Sequence, residues 1–384
     1  MTTRISEPDG ARAMTLATRQ PSYFPTLDGW RAIAILAVML SHSRLLVEAH
    51  GLFPSHTAAT IFSDLRLGVD LFFAISGFLI TRLLVQESIR TGTISLRSFY
   101  VRRAFRILPV IVVYLLAVAL MSLWLPGLIA PWEFPATILF ARNYLMHWPG
   151  ETTQQFWSLS VEEHFYLLWP PMLALVGPKE ALRLAIFGVV SVAVWRAADA
   201  RYHLFSHVFN EDAGVLYRSD TRCDALLAGA VAALALEQAQ TLFNRVRSLP
   251  VTACIFAATV VAVGARAPAL PCVLVVLFPL LILSTICHPS SLASRLLESS
   301  SLRWLGRLSY SVYVWQTLFL QVPEVSFSIR AAGSSPARIA GAYLLDMGLI
   351  FLCALVSNKV VEGPLRRKGR ELAEAGDTSR VSAA

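Results

Sequence analysis

Residues 31–47 read RAIAILAVMLSHSRLLV, an apolar run bracketed by an arginine and interrupted near its end by a histidine. A helix that crosses a bilayer needs about 20 mainly apolar residues, and an ionisable side chain inside one is costly enough to mark a functional site. Arg31 and His42 are eleven residues apart. At about 100° per residue this is ~20° beyond three full turns, so the two share one helix face and stand ~16 Å apart along the axis. His42 then lies well inside the run, with Arg31 at its mouth.

The surrounding chain repeats the apolar pattern. Of its 384 residues 55% are hydrophobic and only 15% charged, with a mean hydropathy of +0.58, against roughly 45–50% apolar and 25% charged in an average soluble domain. This excludes an ordinary cytosolic enzyme, a disordered chain and a disulfide scaffold. A window of about 19 residues places spans near 31–47, 67–86, 107–125, 157–176, 184–199, 222–240, 250–265, 270–287, 308–322 and 338–360. The expected fold is therefore all-α, a polytopic membrane helix bundle with about ten transmembrane helices. The stretch Pro135–Met146 is too short to cross and opens with the last of three prolines, Pro126, Pro131 and Pro135; it is expected to be re-entrant or interfacial.

Of the 33 Lys and Arg, 22 fall in one alternating set of loops and 7 in the other, which by the positive-inside rule puts both termini in the cytosol. That distribution also accounts for the net charge of +8 without nucleic acid as a partner. The expected organisation is a cytosolic tail over 1–30 with no removable signal peptide, a membrane domain over 31–361, and a solvated, partly disordered tail over 362–384. The five cysteines are widely spaced and form no C-x-x-C pair, so they read as core residues.

More polar groups enter the spans. WSLSVEEHFYLLWP (157–170) carries Glu162 and Glu163, and GVDLFFAISGFLIT (68–81) carries Asp70, each one to two turns from the same side as His42. Their convergence would orient the imidazole and raise its basicity, which suits a general base for a hydroxyl; a purely structural carboxylate–histidine network fits the same residues. FYVRRAFRILP (99–109) sets Arg102, Arg103 and Arg106 on one basic face at the opposite mouth, suited to a polyphosphate, to anionic lipid or to topology alone. Arg222 and Asp224 open the segment RCDALLAGA (222–230) beside a polar loop and could receive a hydroxylated substrate. No H-E-x-x-H, P-loop, G-x-G-x-x-G or G-x-S-x-G is present, so no metal site is expected.

Taken in order, LDGWRAIAILAVMLSH, GVDLFFAISGFLIT, FYVRRAFRILP, WSLSVEEHFYLLWP, RCDALLAGA, LGRLSYSVYVWQ (305–316) and VEGPLRR (361–367) resemble the acyltransferase 3 family. These are integral membrane O-acyltransferases of bacterial surface glycans and some natural products, and the likeness covers about residues 27–367. The resemblance implies that 31–361 is a membrane acyltransferase domain in the bacterial inner membrane. It matches Arg31 and His42 to the family's essential pair, and Glu162 to the glutamate of its tryptophan-serine-leucine segment. Two positions depart from it: Gln316 stands where relatives often carry histidine, and Gln154, Gln155 and Phe156 precede the tryptophan where another histidine is common.

Together these readings suggest transfer of an acyl group, acetyl first among candidates, from cytosolic acyl-CoA to a hydroxyl of a cell-surface or lipid-linked glycan. Acyl-CoA would be a co-substrate, with no permanently bound cofactor. Its phosphates would rest on Arg31, Arg102, Arg103 and Arg106, with the thioester threaded toward His42 and the ring oriented by Glu162 or Asp70; Glu163, Arg222 and Asp224 would face the acceptor. Acylation of a macrolide or other small hydroxylated product, and a non-enzymatic glycolipid transporter, are the alternatives.

Overall fold

The computed structural model describes residues 23–43, 67–145, 150–205, 214–238, 254–255, 257–259, 261, 270–331 and 333–381, and among these there are helices and turns but no strand. The longer helices are α1 (Pro25–His42), α2 (Gly68–Thr91), α3 (Leu96–Met121), α4 (Phe156–Tyr202), α5 (Asp224–Gln238), α6 (Leu270–Cys287), α7 (Ser300–Leu320), α8 (Pro336–Val356) and α9 (Gly363–Val381). Local sequence marks their ends. Pro25 opens α1, where its missing N–H costs nothing, and Asp28 lies in the first turn, facing the positive end of the helix dipole. Gly92 closes α2 at φ 77°, a left-handed cap that glycine adopts without strain.

Four segments are long and apolar enough to cross a membrane: Gly68–Thr91, Leu96–Met121, Phe156–Asp199 and Pro336–Ala375, with Cys272–Cys287 a shorter apolar helix. The chain is an integral membrane protein, but the count of ten crossings is not confirmed. One reason is visible in α7. Its interior face carries Ser309, Ser311, Gln316 and Thr317, all buried, so polar groups that serve the interior dilute the apolarity by which a span is recognised. The expected span at 250–265 lies mostly outside the described residues.

The first half of α4 ends at Gly177, whose φ of 74° and ψ of 168° break the helix before Pro178. The break falls between the stretches 157–176 and 184–199, which the sequence reads as separate. Among the described residues, the segment expected to be re-entrant overlaps the short helix Glu133–Ile138 and holds a 3-10 turn, Arg142–Tyr144. Arg142 is 1% exposed and satisfies its guanidinium on Thr153 Oγ1, the Leu145 carbonyl and the Gly150 carbonyl, which pins the segment to the start of α4.

One contiguous core joins α1, α2, α3, α4 and α7 through Ile35, Phe73, Ile111, Phe156 and Val312. In a bilayer such contacts stabilise through close packing more than through removal from water. Packing is close where α7 crosses α1: a Cβ on Gly306 would sit 1.8 Å from the Asp28 carbonyl oxygen. That approach brings the interior faces of both helices onto a common space.

The expected disordered tail is instead α9. It lies along α3, with Ser98 Oγ donating to the Ala373 carbonyl at 3.1 Å and Gly369 set against the Phe105 ring. Between α8 and α9 runs a π-helical stretch, Ser357–Glu362. Its widened turn is held by the buried Glu362 carboxylate, which accepts from Ser311 Oγ at 2.5 Å and more distantly from Ser357 and Asn358. Bulges of this kind often re-aim side chains at functional sites.

Candidate functional site

α1, α2, α3, α4, α7 and the π-helical stretch enclose a cavity of about 610 Å³. Six cationic side chains line it, Arg31, Arg103, Arg106, Arg307, Lys359 and Arg366, against two carboxylates, Asp28 and Glu162. Several interactions within the protein engage the margins of this set. Arg307 lies 3.8 Å from Asp28, Arg103 sits over the Tyr166 ring at 4.7 Å, and Glu162 accepts from the Tyr166 hydroxyl at 3.0 Å. Arg31 and Arg106 make no ion pair within 4 Å among the described residues, while Arg106 is within electrostatic range of both Arg31 and Arg366. Like charges held close in a confined space repel unless an anion lies between them. The lining thus carries more positive than negative charge.

A polar stripe leads out of it. Ser309, Tyr313 and Gln316 follow one another at i, i+4 and i+7 on α7 and so share a face; the first two line the cavity. The Ser309 hydroxyl is buried with no hydrogen-bond partner, and Tyr313 pairs with Ser158 at 2.6 Å. At the far end of the stripe Gln316 Oε1 meets His42 Nδ1 at 2.7 Å. Neither His42 nor Gln316 lines the cavity itself; α1 carries Arg31 at the cavity and His42 ~16 Å further along its axis.

The carboxylates expected around His42 have other recorded partners. Asp70 forms an ion pair with Arg222 at 2.6 Å, and Arg196 pairs with Asp224 at 2.7 Å, in a cluster between α2, α4 and the start of α5. The Arg222 guanidinium also lies over the Trp157 ring at 5.8 Å. Glu162 belongs to the cavity, and Glu163 is within electrostatic range of Arg103, away from the Arg222 cluster with which it had been grouped. Of the three arginines at 102–106, Arg103 and Arg106 line the cavity. Arg102 does not: it pairs with Glu87 at 3.4 Å and is 39% exposed.

The polar loop before α5 is partly a structural clasp. Arg218 is buried between Asp199, at 2.7 Å, and Asp220, whose carboxylate also accepts from Trp195 Nε1 at 2.7 Å. Burial works to raise the pKa of Asp220, but the bonds from Arg218 and Trp195 outweigh it and hold the carboxyl below its ordinary value. His207, Glu211 and Asp212 lie outside the described residues.

Sequence reasoning did not single out Arg307, Lys359, Arg366 or Asn358 as cavity residues. Arg307 and Arg366 stood in quoted motifs, LGRLSYSVYVWQ and VEGPLRR, where they looked like loop charges. Lys359 and Asn358 reach the cavity from the π-helical stretch, for which the sequence carries no period.

Comparison with known proteins fits this geometry, since residues 24–356 match the acyltransferase domain that defines the acyltransferase 3 family. The chain belongs to that family. Among its relatives is a putative O-acetyltransferase of Staphylococcus aureus strain COL, 27% identical, over 90% of this chain and 58% of the relative. The peptidoglycan O-acetyltransferase OatA of Listeria monocytogenes is 26% identical over 90% of this chain and 56% of its own length. O-acetyltransferase OatA of Staphylococcus aureus strain NCTC 8325 is 27% identical over 91% and 58% respectively. The chain therefore spans under three-fifths of these relatives. No solved structure matches it.

Proposed function

We propose that this protein transfers an acyl group, in the first instance acetyl, from acyl-CoA to a hydroxyl of a cell-surface or lipid-linked glycan, as a multi-pass protein of the bacterial inner membrane with both termini in the cytosol. The observation that carries the reading is the lining of one cavity by six cationic side chains, Arg31, Arg103, Arg106, Arg307, Lys359 and Arg366, against two carboxylates, Asp28 and Glu162. The phosphates of CoA supply the missing charge, and the thin, amide-bearing pantetheine arm suits the strip past Ser309 and Tyr313. Relatives named as O-acetyltransferases, one of them for peptidoglycan, support the acetyl group and the glycan acceptor.

In this reading His42 Nε2 takes the proton of the acceptor hydroxyl as its oxygen bonds to the thioester carbonyl carbon. The carbon–sulfur bond then breaks, and the departing CoA sulfur receives the proton back from the imidazolium. Arg31, Arg103 and Arg106 anchor the phosphates, joined by Arg307, Lys359 and Arg366. Glu162 balances this cluster and keeps Tyr166 in place.

The test uses the full chain in membrane vesicles with labelled acetyl-CoA and purified cell-wall glycan. A general base contributes about 10²- to 10⁴-fold, so His42→Ala should abolish measurable labelling while acetyl-CoA still binds. A drop of only two- or threefold would remove His42 from the chemistry.

A further inference from the structure

The position where relatives often carry histidine holds Gln316 here, and the structure gives that glutamine a specific place. Gln316 is fully buried on α7, and its Oε1 lies 2.7 Å from His42 Nδ1, across 274 residues of sequence. The structure sets its Nε2 on Thr317 Oγ1 at 3.0 Å, and Thr317 is itself fully buried. In that placement the amide presents its oxygen, an acceptor only, to the imidazole.

That orientation decides the chemistry of the ring. An oxygen facing Nδ1 requires the proton on Nδ1, and in the neutral imidazole the lone pair then belongs to Nε2. A general base needs its lone pair on the nitrogen that meets the substrate, and a histidine in the wrong tautomer is inactive even when its position is right. We infer that Gln316 is a positioning residue that holds His42 in the Nδ1–H tautomer with Nε2 as the basic nitrogen, anchored in turn by Thr317. This rests on the reading of His42 as the base. The partner that Nδ1 meets is a neutral amide, whereas the sequence pointed to a carboxylate.

Glu and Met are close to Gln in length but differ in what they offer Nδ1, so they separate hydrogen bonding from packing. Gln316→Glu keeps an acceptor oxygen, whereas Gln316→Met keeps the volume and removes it. Packing alone would favour Met, since a buried carboxylate is costly.

The measurement is kcat and KM for labelled acetyl-CoA, with cell-wall glycan as acceptor, on the full chain in membrane vesicles. Gln316→Met is expected to lower kcat by about 5- to 150-fold, the range for leaving a buried donor unsatisfied, with KM for acetyl-CoA within about twofold. Gln316→Glu should stay within a few-fold of the parent. Thr317→Val, which leaves Gln316 in place but removes the hydroxyl that meets its Nε2, should lower kcat about 2- to 10-fold. This variant also decides the matter if Gln316→Met fails to accumulate, with an unchanged kcat counting against the inference.

A Met variant as active as the Glu variant, or more so, overturns the inference. If His42→Ala is inactive while Gln316→Met matches the parent, positioning fails and the base survives. If His42→Ala retains transfer, both fall together.

Discussion

Arg106→Ala probes the cationic cavity most directly, because Arg106 lines it, makes no ion pair within 4 Å and sits near two further arginines. A hydrogen bond between charged partners contributes about 1.5–3 kcal/mol. The cavity is open enough to admit water around a half-buried guanidinium, so the lower end applies, and 1.4 kcal/mol corresponds to about tenfold in affinity. Phosphate anchoring lies far from the reacting carbonyl and is felt equally in the ground and transition states, so it raises KM without changing kcat. Arg106→Ala is therefore expected to raise KM for acetyl-CoA about tenfold at low salt, and by less at 1 M, where screening acts over about 3 Å. Arg102→Ala serves as the internal control. That side chain faces away from the cavity and makes one half-exposed pair with Glu87, of a kind that contributes about 0–1 kcal/mol, so its KM should move by less than about twofold. Initial rates in vesicles over a range of acetyl-CoA concentrations give both constants. Equal KM shifts for Arg102 and Arg106, or a fall in kcat alone for Arg106, would refute the assignment of the cavity to the phosphates.

Two further changes address the scaffold. Gly306→Val would drive a side chain into the Asp28 carbonyl, 1.8 Å from the new Cβ. Backbone cannot yield as a flexible side chain does, so the cost should reach about 3 kcal/mol or more and appear as a lower melting temperature in detergent, whereas Gly341→Ala, which meets nothing within 4 Å, should change it little. Asp220 has its pKa lowered on folding, so its contribution is fully present above the unfolded carboxylate value of about 3.9 and is lost as pH falls through the folded value. Asp220→Asn should accordingly lower the melting temperature at pH 7, and the gap to the parent should close below about pH 4; a gap independent of pH would show that charge is not what Asp220 contributes.

Much of the protein is written in short-range pattern. The apolar runs fix an all-helical membrane class, since a backbone in hydrocarbon must satisfy its own hydrogen bonds. Helical periodicity puts Arg31 and His42 on one face, and it strings Ser309, Tyr313 and Gln316 along another, because both relations lie within a single helix. The motifs also held most of the cavity's arginines in view.

Tertiary structure decided the partners. Which carboxylate or amide meets His42 depends on how α1 and α7 cross, and the crossing turns on contacts such as Gly306 against Asp28, between segments far apart in the chain. Asp70 was at a plausible depth for the histidine, yet the packing of α2 against α5 gives it to Arg222. Arg102 and Arg103 are adjacent in sequence, but 100° of rotation sends one to Glu87 and the other to the cavity. Lys359 and Asn358 reach the cavity from a π-helical turn in which Ser311, Ser357 and Asn358 all hydrogen-bond to Glu362. Periodicity is a local property of the backbone, whereas the choice among possible polar partners is made by the distances that packing imposes, and no spacing within one segment encodes them.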